Sequence, residues 1–207
     1  MECIFDLALY KRKPEMFMLG TDIDHELRLE LLTPHHAGSL STLIEKSRVS
    51  LREWLPWVDS SRSIKDSLNY IHFELDKLSK NRGFQMGIWF RGQLAGVIGF
   101  HEVDWTNRKV SLGYWLGDGY RGKGLMRRSC RKLVDFAFTV WDLQRVEILC
   151  AVGNTKSQAI PKSIGFTQEG VKRHCEWLND HFVDHIVFSL LKTEWLVQNS
   201  KNASKSE

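Results

Sequence analysis

The sequence predicts an α/β domain on a mixed, mostly antiparallel sheet of about seven strands flanked by about four helices. Three observations carry that expectation. Runs such as Glu26-Leu27-Arg28-Leu29-Glu30-Leu31 alternate polar and apolar residues, as a strand with one wet face must. Residues 63–80 and 126–140 instead repeat their apolar side chains at helical spacing. Between them, turn signals split the middle of the chain into a strand meander. A chain of 207 residues, 43% hydrophobic and 26% charged, is long enough to close one such core, and no internal repeat divides it.

The elements follow in order. Residues 1–24 show little periodicity and are expected to form a poorly structured extension, in which Met16 or Met18 could be an alternative start. After the strand at 26–31, Thr33-Pro34 opens a helix to about Ser47, because Thr caps well and Pro fits a first turn. A second helix over 63–80 carries Ile64, Leu68, Ile71, Leu75 and Leu78 on one stripe. Strands at 84–90 and 94–101 meet at the Arg91-Gly92-Gln93 turn, and Asp104-Trp105-Thr106-Asn107 turns the chain into a third at 109–116. A helix over 126–140 buries Met126, Cys130, Leu133, Ala137 and Val140. A strand at 145–151 and a short helix at 154–164 come next, the helix stopped by Gly165. Strands at 167–178 and 182–190 close a hairpin around Asn179-Asp180, a pair tolerant of positive φ. The folded domain is thus expected over 25–197, with a disordered polar tail at 198–207.

Composition narrows the function. No apolar run of about 18 residues is present, so no membrane span is expected. Met1-Glu2-Cys3-Ile4-Phe5-Asp6-Leu7 carries acid inside its apolar stretch and does not read as a signal peptide. The net charge of +4 suits an anionic cofactor or an acidic partner surface, whereas nucleic acid would call for a denser basic patch. Cys3, Cys130, Cys150 and Cys175 form no C-x-x-C pair, which points to free thiols in a reducing cytoplasm and to no metal site.

Gly117-Asp118-Gly119-Tyr120-Arg121-Gly122-Lys123-Gly124-Leu125-Met126 joins a strand to a helix. A glycine-dense turn entering a helix leaves backbone N–H groups unpaired, and the helix dipole adds positive potential there, so the place suits a phosphate. Four readings compete. Gly117-x-Gly119-x-x-Gly122 matches a dinucleotide fingerprint, but the loop falls past mid-chain and the next strand ends in Cys150-Ala151 rather than an acid. Gly117-x4-Gly122-Lys123 matches most of a nucleotide-triphosphate loop, yet Gly124 stands where a hydroxyl should hold magnesium. Arg121-Gly122-Lys123-Gly124 also fits the start of the acyl-CoA pyrophosphate pattern Arg/Gln-x-x-Gly-x-Gly/Ala, with Met126 in place of its last small residue. A purely structural turn is the fourth.

The element order together with this loop resembles the GNAT acetyltransferase superfamily from about Leu27 to Trp195. Glu53-Trp54-Leu55-Pro56-Trp57, Gly113-Tyr114-Trp115-Leu116, Asn154-x-x-Ser157 and Gly165-Phe166-x-x-Glu169-Gly170 resemble its ribosomal-protein-serine N-acetyltransferase (RimL-like) branch. Asn107-Arg108-Lys109 and Lys156-Ser157-Gln158-Ala159-Ile160-Pro161 are similar to runs in Bacillus-type ribosomal N-acetyltransferases, and that branch resembles this chain in allowing a larger residue at Met126. The resemblance implies acetyl-CoA as co-substrate and direct transfer to an amine in a ternary complex. It also implies that the strand ending in Trp115 and Leu116 splays from its neighbour to admit the pantetheine arm, with one freed N–H facing the thioester oxygen. Backbone N–H groups of Arg121, Gly122, Lys123, Gly124, Leu125 and Met126 would hold the pyrophosphate, the Arg121 and Lys123 side chains would add charge, and Asn154 would bond the pantetheine.

Amide formation needs a neutral amine, a stabilised oxyanion and a proton for the departing thiolate. An α-amine titrates near ~8 and a lysine near ~10.4, so at neutral pH deprotonating lysine costs about 3 kcal/mol more. A carboxylate base is therefore easier to credit with a protein N-terminal α-amine, and the resemblance suggests a ribosomal protein. Glu176, on the closing hairpin where the resemblance to the ribosomal branch implies a carboxylate facing the acceptor, is the candidate base, against a plain strand glutamate paired with Arg173 or Lys172. Ser157 is the candidate donor to the CoA sulfur, although Asn154 and Ser157 also suit the first turn of a helix. The Tyr that many superfamily members carry seven residues after the Asn is Pro161 here, leaving Ser157 or water. Trp54 and Trp57 are expected to wall the acceptor channel or to staple helices to the core. His101 and His174 are alternative bases that more often prove structural. A polyamine or aminoglycoside-type acceptor would want an acidic pocket, and a non-catalytic acyl-CoA-binding module is the reading from another class. Aromatic strands near the C-terminus permit a homodimer.

Overall fold

Eight strands and six helices follow one another in the computed structural model, which describes residues 20–203, with side chains to residue 200. They are β1 (Gly20–Asp22), β2 (Leu27–Leu31), α1 (Ala37–Lys46), α2 (Arg48–Arg52), α3 (Ile64–Ser79), β3 (Phe84–Phe90), β4 (Gln93–Asp104) and β5 (Lys109–Leu116). After the glycine loop come α4 (Leu125–Thr139), β6 (Arg145–Ala151), α5 (Thr155–Ile164), β7 (Thr167–Leu178), β8 (His181–Leu191) and α6 (Lys192–Ala203). Single 3-10 turns at Pro34–His36 and Pro56–Ser60 precede α1 and α3. The expectations for Met1 to Leu7, Met16 and Met18 lie outside the described residues.

The strands form one sheet in the order β1-β2-β3-β4-β5-β6-β8-β7, antiparallel except for the β5–β6 pair. Helices cover both faces. On one side α1 and α3 bury Leu40, Leu43, Ile44 and Ile71 against Leu94 and Val97 of β4. On the other, α4 sets Cys130, Leu133, Phe136 and Ala137 against Phe84, Ile98, Phe100 and Leu112. Val97 and Ile98 thus point to opposite layers, as period-two alternation requires.

Four differences from expectation have physical causes. The short strand β1 lies in the segment expected as an unstructured extension; it pairs with β2, and Asp22 accepts from the Arg28 guanidinium at 2.8 Å. Three residues are too few to show a period. Helix α2 lies between the two expected helices, in a stretch for which the sequence predicts no element, because the Arg48 guanidinium donates to the Val58 and Ser61 carbonyls at 2.6 and 2.7 Å and folds the segment back. Ile64 is exposed, and the shielded face of α3 runs through Ser67, Ile71 and Glu74; Ser63 and Asp66 close its capping box. The tail expected to be disordered from residue 198 is helical to Ala203. Trp195, 1% exposed, anchors it under the Arg131 guanidinium, which also donates to Asn199 at 2.7 Å.

Candidate active site

The one parallel pair is also short-lived. β5 and β6 register only over Lys109–Ser111 and Arg145–Glu147, and beyond those residues each strand follows its other neighbour. β5 stays with β4 as far as Leu116, and the Gly117 N–H continues onto the Ala95 carbonyl at 2.9 Å. β6 stays with β8 as far as Ala151 opposite His185. The strands diverge, and Leu112–Leu116 and Ile148–Ala151 lose each other as partners. A cleft of about 730 Å³ opens there, reaching from Cys150 and Ser157 across β5 to α3 on one side and to the β7–β8 hairpin on the other.

At one end of the divergence lies the glycine loop. Gly119, Gly122 and Gly124 have φ of +85°, +76° and +68°, a region other residues enter only with strain. Among the described residues no protein group accepts from the backbone N–H of Arg121 through Arg127; the ladder of α4 starts with Arg128 N–H onto the Gly124 carbonyl at 3.2 Å. Seven consecutive donors therefore stand open at a helix N-terminus. The loop is fixed from behind: Asp118 N–H donates to Ser47 Oγ at 2.8 Å, and Ser50 Oγ donates to Asp118 Oδ1 at 2.7 Å. Arg121 leans on Ser50 Oγ and Asp118, while the Lys123 ammonium lies over the Phe90 and Tyr120 rings. Leu125 and Met126 turn their side chains into the core, 1% and 5% exposed. The bulk of Met126 thus points away from the open amides, so the missing small residue costs the loop nothing. These amides and glycines fit a diphosphate.

Where the strands part, three hydroxyl or thiol groups meet. The Tyr114 hydroxyl donates to the Ser157 carbonyl at 3.0 Å, and Ser157 Oγ stands 3.4 Å from the Tyr114 hydroxyl and 3.3 Å from Cys150 Sγ. Asn154 caps α5, its Oδ1 accepting from Ser157 N–H at 3.0 Å. Asn154 and Ser157 build a helix start, and that start brings Ser157 to the lining of the cleft. Burial, and then the neighbouring Cys130 and Cys150, push the Tyr114 hydroxyl well above its usual range, so it stays protonated. Burial raises the Cys150 thiol as well, partly offset by Ser157 and Tyr114.

The other end is built by side chains. Trp54 and Trp57 both line the cleft; Trp57 packs on Trp115 at 5.9 Å, and the Trp54 ring lies over Gly153. Glu176 faces the cleft, but neither Arg173 nor Lys172 pairs with it. Its Oε2 lies 3.0 Å from His185 Nε2 on β8. A bulge makes this contact. Lys172 pairs with His185 and Glu176 with Val183, so Arg173, His174 and Cys175 together face the single Asp184. His174 takes φ of +48° and its N–H donates to Asp184 Oδ1 at 2.8 Å. The extra residues carry Glu176 to the diagonal position beside His185.

Of the two histidines considered as bases, His174 lies outside the cleft, exposed and stacked on Phe182 at 5.6 Å. His101 lines the floor with its ring above Gly113, where an added Cβ would fall 2.2 Å from Nε2. Desolvation by the cleft walls, and then the Lys77 charge, lower its pKa. Glu74, paired with Lys77 at 2.8 Å, and Tyr70 line the region beneath α3.

Sequence reasoning missed Tyr114, Cys150 and His185. Strand alternation sends Tyr114 and Trp115 to opposite faces, which the quoted Gly-Tyr-Trp-Leu run already contained. His185 carried no such signal, because its place beside Glu176 depends on a bulge.

Residues 26–167 match the family model described as the acetyltransferase (GNAT) domain. "Putative ribosomal N-acetyltransferase YdaF" of Bacillus subtilis (strain 168) is 35% identical over 86% of this chain and 98% of its own length. The ribosomal-protein-serine acetyltransferase of Escherichia coli (strain K12) is 26% identical over 78% of this chain and 90% of its own. The crystal structure of the Microcin C7 self immunity acetyltransferase MccE, in complex with acetyl-CoA and AMP, superposes with a TM-score of 0.80 at 28% identity. That match covers 84% of this chain and 96% of the other.

Proposed function

We propose that this chain, which belongs to the GNAT acetyltransferase family and is an acetyl-CoA-dependent N-acetyltransferase, acts on a protein N-terminal α-amine by direct attack in a ternary complex, with a ribosomal protein as acceptor. The observation that carries the donor side is the run of open amides from Arg121 to Arg127 beside the β5–β6 divergence. Those of Arg121, Gly122, Lys123, Gly124, Leu125 and Met126 hold the diphosphate of acetyl-CoA, with Arg121 and Lys123 adding charge at the rim. The freed edge of β5 takes the pantetheine arm, assisted by the Asn154 amide, and an N–H at Trp115 or Leu116 faces the oxygen that gains charge.

The chemistry then needs two proton movements. Ser157, held where the strands part, donates to the departing sulfur as the C–S bond breaks. The Glu176–His185 pair, on the β7–β8 hairpin beside β6, takes the proton that the amine gives up as the C–N bond forms. Trp54 and Trp57 wall the channel between these points and keep water from the thioester.

An N-terminal amine suits this arrangement better than a polyamine. Asp66, Glu74 and Glu176 all line the cleft, yet each is engaged: Asp66 in the α3 cap, Glu74 with Lys77, Glu176 with His185. The cleft therefore offers little uncompensated negative charge to a second ammonium group. The names of the relatives supply the ribosomal-protein acceptor. Incubation with labelled acetyl-CoA and a cell extract, followed by identification of the labelled species, tests the reading. Label on a protein α-amine supports it, label on spermidine alone replaces the acceptor, and no label with tight acetyl-CoA binding points to a non-catalytic module.

A further inference from the structure

The acceptor side contains an atom better suited to take the proton than the carboxylate. His185 stands on β8, opposite Ala151 on one side and Lys172 on the other, and it lines the same cleft as Glu176. The side chain of His185 is 14% exposed and that of Glu176 34%, so the imidazole is the more shielded of the two. Its Nε2 lies 3.0 Å from Glu176 Oε2, and among the described residues no protein group bonds its Nδ1. An ionised carboxylate oxygen and an unprotonated imidazole nitrogen repel at that separation. The proton of the neutral ring therefore sits on Nε2, and the lone pair on Nδ1.

The pKa classes point the same way. An α-ammonium titrates near ~8, a carboxylic acid near ~4.3 and an imidazolium near ~6.5, so passing the proton to imidazole is less uphill by about two pKa units. From this geometry we infer that Nδ1 of His185 is the proton acceptor of the acetyl transfer and that Glu176 is its positioning partner. This deepens the acetyltransferase reading and rests on it. The acceptor nitrogen gives one proton to Nδ1 and its electron pair to the carbonyl carbon, and the C–S bond breaks to a thiolate that takes the Ser157 proton. The imidazolium then releases its proton to solvent and the Ser157 alkoxide regains one from solvent, so both side chains return to their starting state. Asp66, Tyr70 and Glu74 on α3, His101 on β4, Tyr114 on β5, Cys150 on β6 and Lys172 on β7 are the other charged or titratable groups around the pair.

Steady-state kinetics with acetyl-CoA and synthetic peptides bearing a free α-amine decide the division of labour. His185→Gln, which can still donate toward Glu176 but cannot titrate, is expected to lower kcat about 100-fold and to flatten its rise with pH. Acetyl-CoA affinity, measured by calorimetry, should not move. Glu176→Gln, whose amide oxygen still accepts from Nε2, is expected to lower kcat only about 10-fold. If His185→Gln stays within threefold of the native rate while Glu176→Gln abolishes it, the carboxylate itself takes the proton and the inference falls. Should His185→Gln not fold, nitrogen NMR of the His185 ring in the native protein decides: an Nε2–H tautomer supports the inference and an Nδ1–H tautomer overturns it. Failure of every peptide and of spermidine to become acetylated refutes the function instead, while the tautomer still judges the pair.

Discussion

The two ends of the cleft are made of different material. The end proposed for the donor is main chain: seven consecutive amides, three glycines at positive φ, and side chains such as Leu125 and Met126 that turn into the core. The end proposed for the acceptor is side chain: Trp54 and Trp57 from a folded-back segment, Glu176 placed by a bulge, His185 from the neighbouring strand. A backbone site tolerates most substitutions that keep its conformation, whereas a side-chain site answers to each identity. The first kind suits a ligand shared across a family, and the second suits a partner that differs from member to member.

The largest expected effect lies where the two ends join. Ser157→Ala should cut kcat about 100-fold with acetyl-CoA affinity within threefold of native, because it removes a proton donor and leaves the amides intact. An unchanged kcat would assign the proton to water. Tyr114→Phe should cost about 10-fold and add little to Ser157→Ala, since its hydroxyl acts through the Ser157 backbone; full additivity in that double-mutant cycle would separate them. Next comes the backbone. Gly124→Val has room for its side chain but not for its φ of +68°, and a cost of about 2 kcal/mol should weaken acetyl-CoA binding about 30-fold in a calorimetric titration. By contrast Arg121→Ala, a side-chain change in the same loop, should weaken it only about threefold, because that guanidinium is exposed and already shared with Asp118 and Ser50. If the two ranked the other way, the donor end would be a side-chain site after all.

The smallest effect concerns the root of the acceptor hairpin. Glu169 on β7 accepts from Arg145 at 2.8 Å and from Ser189 at 2.7 Å, and these contacts lower its pKa to about 2. A carboxylate depressed in the folded state stabilises above its unfolded pKa, and that stability is lost as pH falls from about 4.5 toward 2. Glu169 is partly exposed, so solvent screening limits the contribution to about 1 kcal/mol. Glu169→Gln should lower the melting temperature slightly at pH 7 and should have no effect near pH 2. Equal destabilisation at both pH values would mean that packing, not charge, clasps the hairpin.

The same contrast explains what could be read from the chain. Spacing alone places the glycine loop between a strand and a helix, and a run of open amides follows from any such junction. Alternation and helical period likewise locate every long element. A three-residue strand, β1, and a five-residue helix, α2, are each too short for their own period to show, and the helical tail depends on Trp195 finding Phe138 and Arg131. The residues around Glu176 were the least legible. Three residues facing one across β7 and β8 change its neighbour from Lys172 or Arg173 to His185, and local sequence does not announce that shift. Pro161 similarly removes one tyrosine position while Tyr114 brings a hydroxyl from another strand.

The first turn of α4 gives the core and the ligand a common foundation. Leu125 and Met126 spend their side chains on the interior and their amides on the cleft. Whatever seats itself on those amides also clamps the hydrophobic layer beneath, so a saturating donor should make the protein harder to melt. Conversely, a mutation that loosens the packing around Met126 would read as a cofactor defect in an assay, although no atom near the phosphates had changed.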